Sequence, residues 1–167
     1  MLNIQFSMKQ IVLIVSLFLT AAYTNGQGIK AVKAAELEKI IAESKTPLII
    51  NIWATWCQPC VEELPYFMEE YSKHKDSLQL ILVSLDFAES FPDKISSFAR
   101  KRKITAPIVW LDETNADYFC PKIDANWSGA IPATLFINNK TGHRKFVEEQ
   151  LSHEELKKEI MAMLKIN

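Results

Sequence analysis

The sequence predicts an α/β fold, a mixed β-sheet flanked by helices, and three observations carry that prediction. In the first two thirds of the 167-residue chain, short apolar runs alternate with stretches whose apolar residues recur at helical spacing. Nearer the C-terminus, two strand-like runs flank the turn Asn139-Lys140-Thr141-Gly142, the pattern of an antiparallel hairpin. One further helix follows. Alternating strands and helices call for parallel pairing and a hairpin calls for antiparallel pairing, so the sheet is mixed.

The elements follow in order. Ile29 to Ser44 carries Val32, Ala35, Leu37, Ile40 and Ile41 at helical spacing and predicts an amphipathic helix. Leu48 to Trp53 predicts a buried strand. A helix opens at Pro59, because proline suits a first turn where its missing N–H costs nothing, and runs on through Val61 to His74 with Leu64, Phe67, Met68 and Tyr71 on one face. Pro65 falls inside it and predicts a kink. Leu78 to Leu85 is a second strand, Pro92 to Arg102 a helix and Ile108 to Leu111 a short strand. Thr114 to Lys122 is a brief helix. Thr134 to Asn138 and Lys145 to Glu148 form the hairpin. Ser152, with Glu155 three residues on, is a capping box that starts the last helix.

The N-terminus predicts export. From Met8 the chain has a basic start at Lys9, an apolar run from Ile11 to Ala22, then small and polar residues through Gly26, the layout of a secretory signal. Met8 is the more natural initiator. The run is shorter than the roughly 18 residues of a spanning helix, so removal of residues 1–26 is expected, with an uncleaved membrane anchor as the alternative. Residues 27–167 then form one compact domain. Export implies an oxidising compartment, where disulfides persist.

Charge excludes one class of partner. The 19 basic residues nearly balance 20 acidic ones for a net charge of −1, and the one dense basic cluster, Lys101 to Lys103, reads as a solvated helix end. Nucleic acid is therefore not an expected partner.

Chemistry concentrates in Trp53-Ala54-Thr55-Trp56-Cys57-Gln58-Pro59-Cys60. Two thiols one helical turn apart make a reversible disulfide. Cys57 falls at a helix N-terminus, where unpaired N–H groups and the macrodipole favour its thiolate, the nucleophilic form. Cys60 is the resolving thiol. A static disulfide and half a zinc site are the competing readings. Zinc wants four ligands, and Cys120, His74, His143 and His153 lack ligand spacing, so no metal is expected. Cys120, the odd thiol, is expected to be buried and inert.

The run Asn51 to Cys60, Pro65, and Ile131-Pro132-Ala133-Thr134 before a strand, in that order and spacing, resemble the thioredoxin superfamily. The signal, the Trp-Cys-x-Pro-Cys core and the extra strand and helix between Leu78 and Leu111 are similar to its TlpA/ResA-like extracytoplasmic members. The resemblance covers Ile29 to the C-terminus. It implies a thioredoxin fold with a strand-helix insertion between its halves, a dithiol at the end of a strand, and Pro132 as a cis-proline facing the disulfide. It further implies that Trp56, Gln58, Pro59, Ile131 and Pro132 form the surface that meets substrate, with the main chain before Pro132 pairing with an extended client.

Asn51 stands where cytoplasmic thioredoxins carry a proton-moving aspartate, and an amide cannot take that proton. Glu63, one turn after Cys60, matches the acidic residue of ResA-like proteins and is the candidate proton acceptor. A solvated surface glutamate beside Glu62 is its plain alternative. The function implied is an exported thiol–disulfide oxidoreductase, a monomer without bound cofactor. Its partners are disulfide-bearing proteins and a membrane donor of electrons. The Gln58-Pro59 dipeptide and Ile131 lean toward a reductant, with preparation of apocytochrome c as a family expectation. An oxidase or isomerase, a thiol peroxidase and a non-catalytic binding module are the other readings. The related peroxidases place a threonine three residues before the reactive cysteine, whereas Thr55 is two before Cys57.

Overall fold

The computed structural model describes residues 28–165. The expected signal segment lies outside the described residues. A six-stranded sheet forms the middle layer in the order β1-β4-β3-β2-β5-β6. Its strands are β1 (Lys30–Val32), β2 (Leu48–Trp53), β3 (Gln79–Ser84), β4 (Ile108–Leu111), β5 (Ala133–Asn138) and β6 (His143–Val147). The first four in space run parallel, and β5 and β6 run antiparallel to their neighbours. The mixed sheet is the predicted one.

One element departs from expectation. The segment read as a single helix over Ile29 to Ser44 divides into β1 and a shorter helix, α1 (Ala34–Glu43). Three residues are too few to show an alternating pattern, and β1 exists because Lys30, Ala31 and Val32 pair with Val109, Trp110 and Leu111 of β4. Non-local pairing decided it.

The remaining helices are α2 (Gln58–His74), α3 (Asp93–Arg102), α4 (Ala116–Ile123) and α5 (His153–Leu164). Strand β2 explains their placement. Its six residues are all buried, with alternate side chains feeding opposite faces. Leu48, Ile50 and Ile52 pack with Leu37 and Ile41 of α1 and Phe119 and Ile123 of α4. Ile49 and Trp53 pack with Leu64 and Phe67 of α2, Ile95 of α3, and Leu156 and Ile160 of α5. Burying both faces fits a largely parallel sheet.

Helix ends follow local chemistry. Ser152 and Glu155 complete the predicted capping box of α5. The basic cluster does close a helix, with Lys103 in the left-handed region at φ 56° as the C-cap of α3. Two peptide bonds are cis, Phe91–Pro92 and Ile131–Pro132.

Candidate active site

The site lies where parallel β2 and β3 end, the edge at which open α/β sheets present ligand sites. After Trp53 the chain turns through Ala54 to Trp56 and enters α2. Cys57 is the N-cap, its Sγ accepting from the Cys60 N–H at 3.3 Å, and Pro59 sits in the first turn. The two cysteines are joined as a disulfide, and both are buried. The N-cap position puts Cys57 at the positive end of a 17-residue helix, where negative charge on sulfur is stabilised.

Glu63 is no surface residue. It is 0 % exposed, whereas Glu62 beside it is in solvent and accepts from Gln58 Nε2 at 2.8 Å. The Glu63 Oε1 atom accepts from Asn51 Nδ2 at 2.9 Å and Oε2 from the Leu151 N–H at 2.8 Å. Burial pushes its carboxyl up from 4.5 to about 7, against the two N–H donors, which pull it down. A carboxyl that titrates near neutrality one turn from Cys60 suits proton transfer at physiological pH.

The segment leading into β5 ends near the same edge. The β5 register pairs Ala133 with Ile52, so Pro132 and Ile131 lie one and two steps further, at the same end of the sheet from which the dithiol segment leaves. Ile131 is half-buried and packs against both core clusters. The loop before it is fastened by Glu148, which accepts from the Ser128 N–H and Ala130 N–H, both at 3.0 Å. These and the Ser128 hydroxyl hold the Glu148 carboxyl below the usual range, although partial burial pushes the other way. Trp127 anchors that loop: it is buried, and its Nε1 donates to the Ala130 carbonyl at 2.8 Å. Cys120 is buried, and loss of solvent raises its thiol above the ordinary value.

Sequence reasoning missed Asp86 and Phe87. Asp86, buried after β3, accepts from the Thr55 N–H, the Thr55 hydroxyl and the Ser84 hydroxyl, so it clamps the turn two residues before Cys57. That clamp sets Phe87 against Trp56. The rings stack with centroids 5.8 Å apart, and both are exposed, Trp56 by 56 % and Phe87 by 67 %. An aspartate directly after an apolar strand was the available signal. Among the described residues, Glu69, Glu70 and His153 come close enough to share a metal ion, but Lys73 already bonds both carboxylates, which makes the group an ion-pair cluster.

Fold and site together define a thioredoxin-fold protein with a Cys-x-x-Cys disulfide at a helix N-terminus. Residues 20–143 match the AhpC/TSA family, and the chain belongs to it. It is 39% identical over 62 residues to sporulation thiol-disulfide oxidoreductase A of Bacillus subtilis (strain 168), covering 36% of this chain and 38% of that protein. It is 29% identical over 110 residues to thiol-disulfide oxidoreductase ResA of Oceanobacillus iheyensis, covering 65% of this chain and 53% of the relative. The chain thus spans about half or less of these relatives' length. Among solved structures, StoA from Bacillus subtilis superposes with a TM-score of 0.53 at 28% identity, covering 72% of this chain and 86% of that one. A thioredoxin-related protein from Neisseria meningitidis serogroup B gives 0.62 at 24% identity, over 73% and 87%, and shows the fold.

Proposed function

We propose that this chain is an exported thiol–disulfide oxidoreductase that reduces protein disulfides. The observation that carries the reading is the Cys57–Cys60 disulfide at the N-terminus of α2, with the buried Glu63 carboxyl one turn beyond it. In the reduced protein, the Cys57 thiolate attacks one sulfur of a client disulfide, and the other client sulfur leaves as a thiolate. Glu63 takes the proton of Cys60. The Cys60 thiolate then attacks Cys57 Sγ, the second client sulfur leaves, and two electrons have passed from the dithiol to the client. The resulting oxidised pair is the state in the structure, and a thiol donor at the membrane must return two electrons to it. No bound cofactor enters these steps.

Trp56, Gln58, Pro59, Ile131 and Pro132 make the client surface, and Phe87 extends it. The exposed Trp56–Phe87 stack favours clients with apolar groups near the disulfide. Disulfide-bearing exported proteins are the client class, with apocytochrome c among them. The Thr55 hydroxyl is engaged by Asp86, which favours exchange over peroxidase chemistry. Export rests on the segment before residue 27, and among the described residues no helix is long and apolar enough to cross a membrane.

Trapping tests the reading. A Cys60→Ala protein should accumulate clients disulfide-linked to Cys57, while the Cys57→Ala protein captures none and loses insulin reduction. An active Cys57→Ala variant would sink it.

A further inference from the structure

Asn51 and Thr134 are partners across the β2–β5 ladder, and both are fully buried. Asn51 Nδ2 donates to Glu63 Oε1 at 2.9 Å and to Thr134 Oγ1 at 3.1 Å, while Asn51 Oδ1 is buried with no partner among the described residues. The other Glu63 oxygen accepts from the Leu151 N–H. Both carboxyl oxygens thus face donors. That suits a carboxylate and leaves a carboxylic acid, which has an O–H to place, without an acceptor.

The two donors differ in what they can become. The Leu151 N–H belongs to the main chain and only donates. The Asn51 amide has two ends of similar size and opposite role, so a half-turn about its last torsion puts Oδ1 within reach of the same two atoms. Its two lone pairs then accept from the Glu63 O–H and from the Thr134 hydroxyl, which donates as readily as it accepts. Each orientation leaves one end of the amide without a protein partner, the carbonyl in one and the NH2 in the other. Neither therefore prevails on its own account, and the proton on Glu63 decides between them.

We propose that the Asn51 amide turns over as Glu63 gains and loses its proton, with Thr134 reversing its hydroxyl in step, so that the buried carboxyl keeps a hydrogen bond to β2 in both forms. The proposal rests on Glu63 being the proton acceptor of the resolving step. There the proton leaves Cys60 Sγ and arrives on Glu63 Oε1, and Asn51 only reorients, which makes it a positioning residue. The residue type follows. An aspartate at 51 would set a second anion against Glu63, and a leucine would leave the carboxyl with no partner on the strand. The groups that bear on Glu63 are Asn51 from β2 and the Leu151 N–H from the segment before α5. On its own helix Cys60 lies one turn back, and Glu62 is turned to Gln58 and Gln150.

The test is an NMR titration of the intact oxidised protein, following the Glu63 carboxyl carbon and the cross-relaxation between the Asn51 NH2 protons and the Thr134 methyl. The contact should be strong above the Glu63 midpoint and lost below it, and in Glu63→Gln it should not change with pH. In Asn51→Ala the midpoint should rise by less than about one unit, because the loss of the donor that pulls the carboxylate down is offset by the loss of the acceptor that serves the acid. A contact that persists through the titration overturns the proposal, as does a pH-dependent contact in Glu63→Gln. An Asn51→Ala midpoint raised by more than about one unit overturns it too, since Asn51 would then serve the anion alone. If Asn51→Ala does not fold, the contact in the unaltered protein decides. Failure of the underlying reading appears elsewhere, as unchanged exchange rates in Glu63→Gln.

Discussion

The two faces of β2 carry the same strand and opposite work. Toward α1 and α4, Leu48, Ile50 and Ile52 enter a cluster of apolar side chains joined by the buried thiol of Cys120. Toward α2 and α5, the middle position of Ile49, Asn51 and Trp53 is an amide, and it meets Glu63 and Thr134 at full burial. Buried polar groups cost free energy unless they are bonded, and here one amide oxygen is left over. The apolar face offsets that cost. Alternation within one six-residue strand thus sets an apolar surface on one side against a surface on the other whose apolar packing surrounds a buried amide and carboxyl, and holds the two in register.

The contrast can be broken from either side. The largest expected effect is on the polar face: Glu63→Gln should slow resolution of the mixed disulfide by about 10²-fold and remove the rate increase through pH 7 that the wild-type carboxyl provides as it becomes a base. Stopped-flow rates from pH 5 to 9 measure both. The same substitution should change stability in a pH-dependent way. Because the folded carboxyl titrates at about 7 and the unfolded one near 4.5, its contribution is fully present below 4.5 and is lost as pH rises through 7. From pH 4 to pH 8 the variant should therefore gain on the wild type by up to about 3 kcal/mol in denaturant titrations.

On the other face, Ile50→Ala should cost about 2–5 kcal/mol of stability and leave exchange per folded molecule, and its pH profile, as in the wild type. A shifted profile would show that the two faces are coupled. The smallest effect belongs to neither face. Phe87→Ala removes an exposed ring and should leave the melting temperature in place, while raising KM for a polypeptide disulfide about two- to tenfold. KM for a small dithio reagent should not move, and equal changes for both substrates would place Phe87 in the chemistry itself.

Much of this arrangement was legible in the residues. The order of elements from β2 onward, the hairpin, the capping box and the N-terminal thiol follow from local rules that act within a few residues. The Glu63 position followed from helical spacing and family resemblance, but its burial did not, because that depends on Leu151 and Asn51, which are distant in sequence. Strand β1 is hidden within a stretch of helical spacing for the same kind of reason, since three edge residues acquire a conformation only from β4. Asp86 and Phe87 escaped because a loop carboxylate shows its purpose only when the backbone it clamps is in place.

The bond from Leu151 to Glu63 spans 88 positions of the chain. Polypeptides are made from the N-terminus at about 5–20 residues per second, so roughly 4–18 s separate the synthesis of its two ends. Through that interval both thiols and Glu63 exist but the Leu151 N–H does not, Thr134 arrives only in its last fifth, and a solvated Glu63 has the acidity of any other glutamate. Both cysteines are therefore present before Glu63 is tuned, and only the last strands and the last segment to be made supply the burial that lifts its carboxyl and the Leu151 bond that restrains the rise.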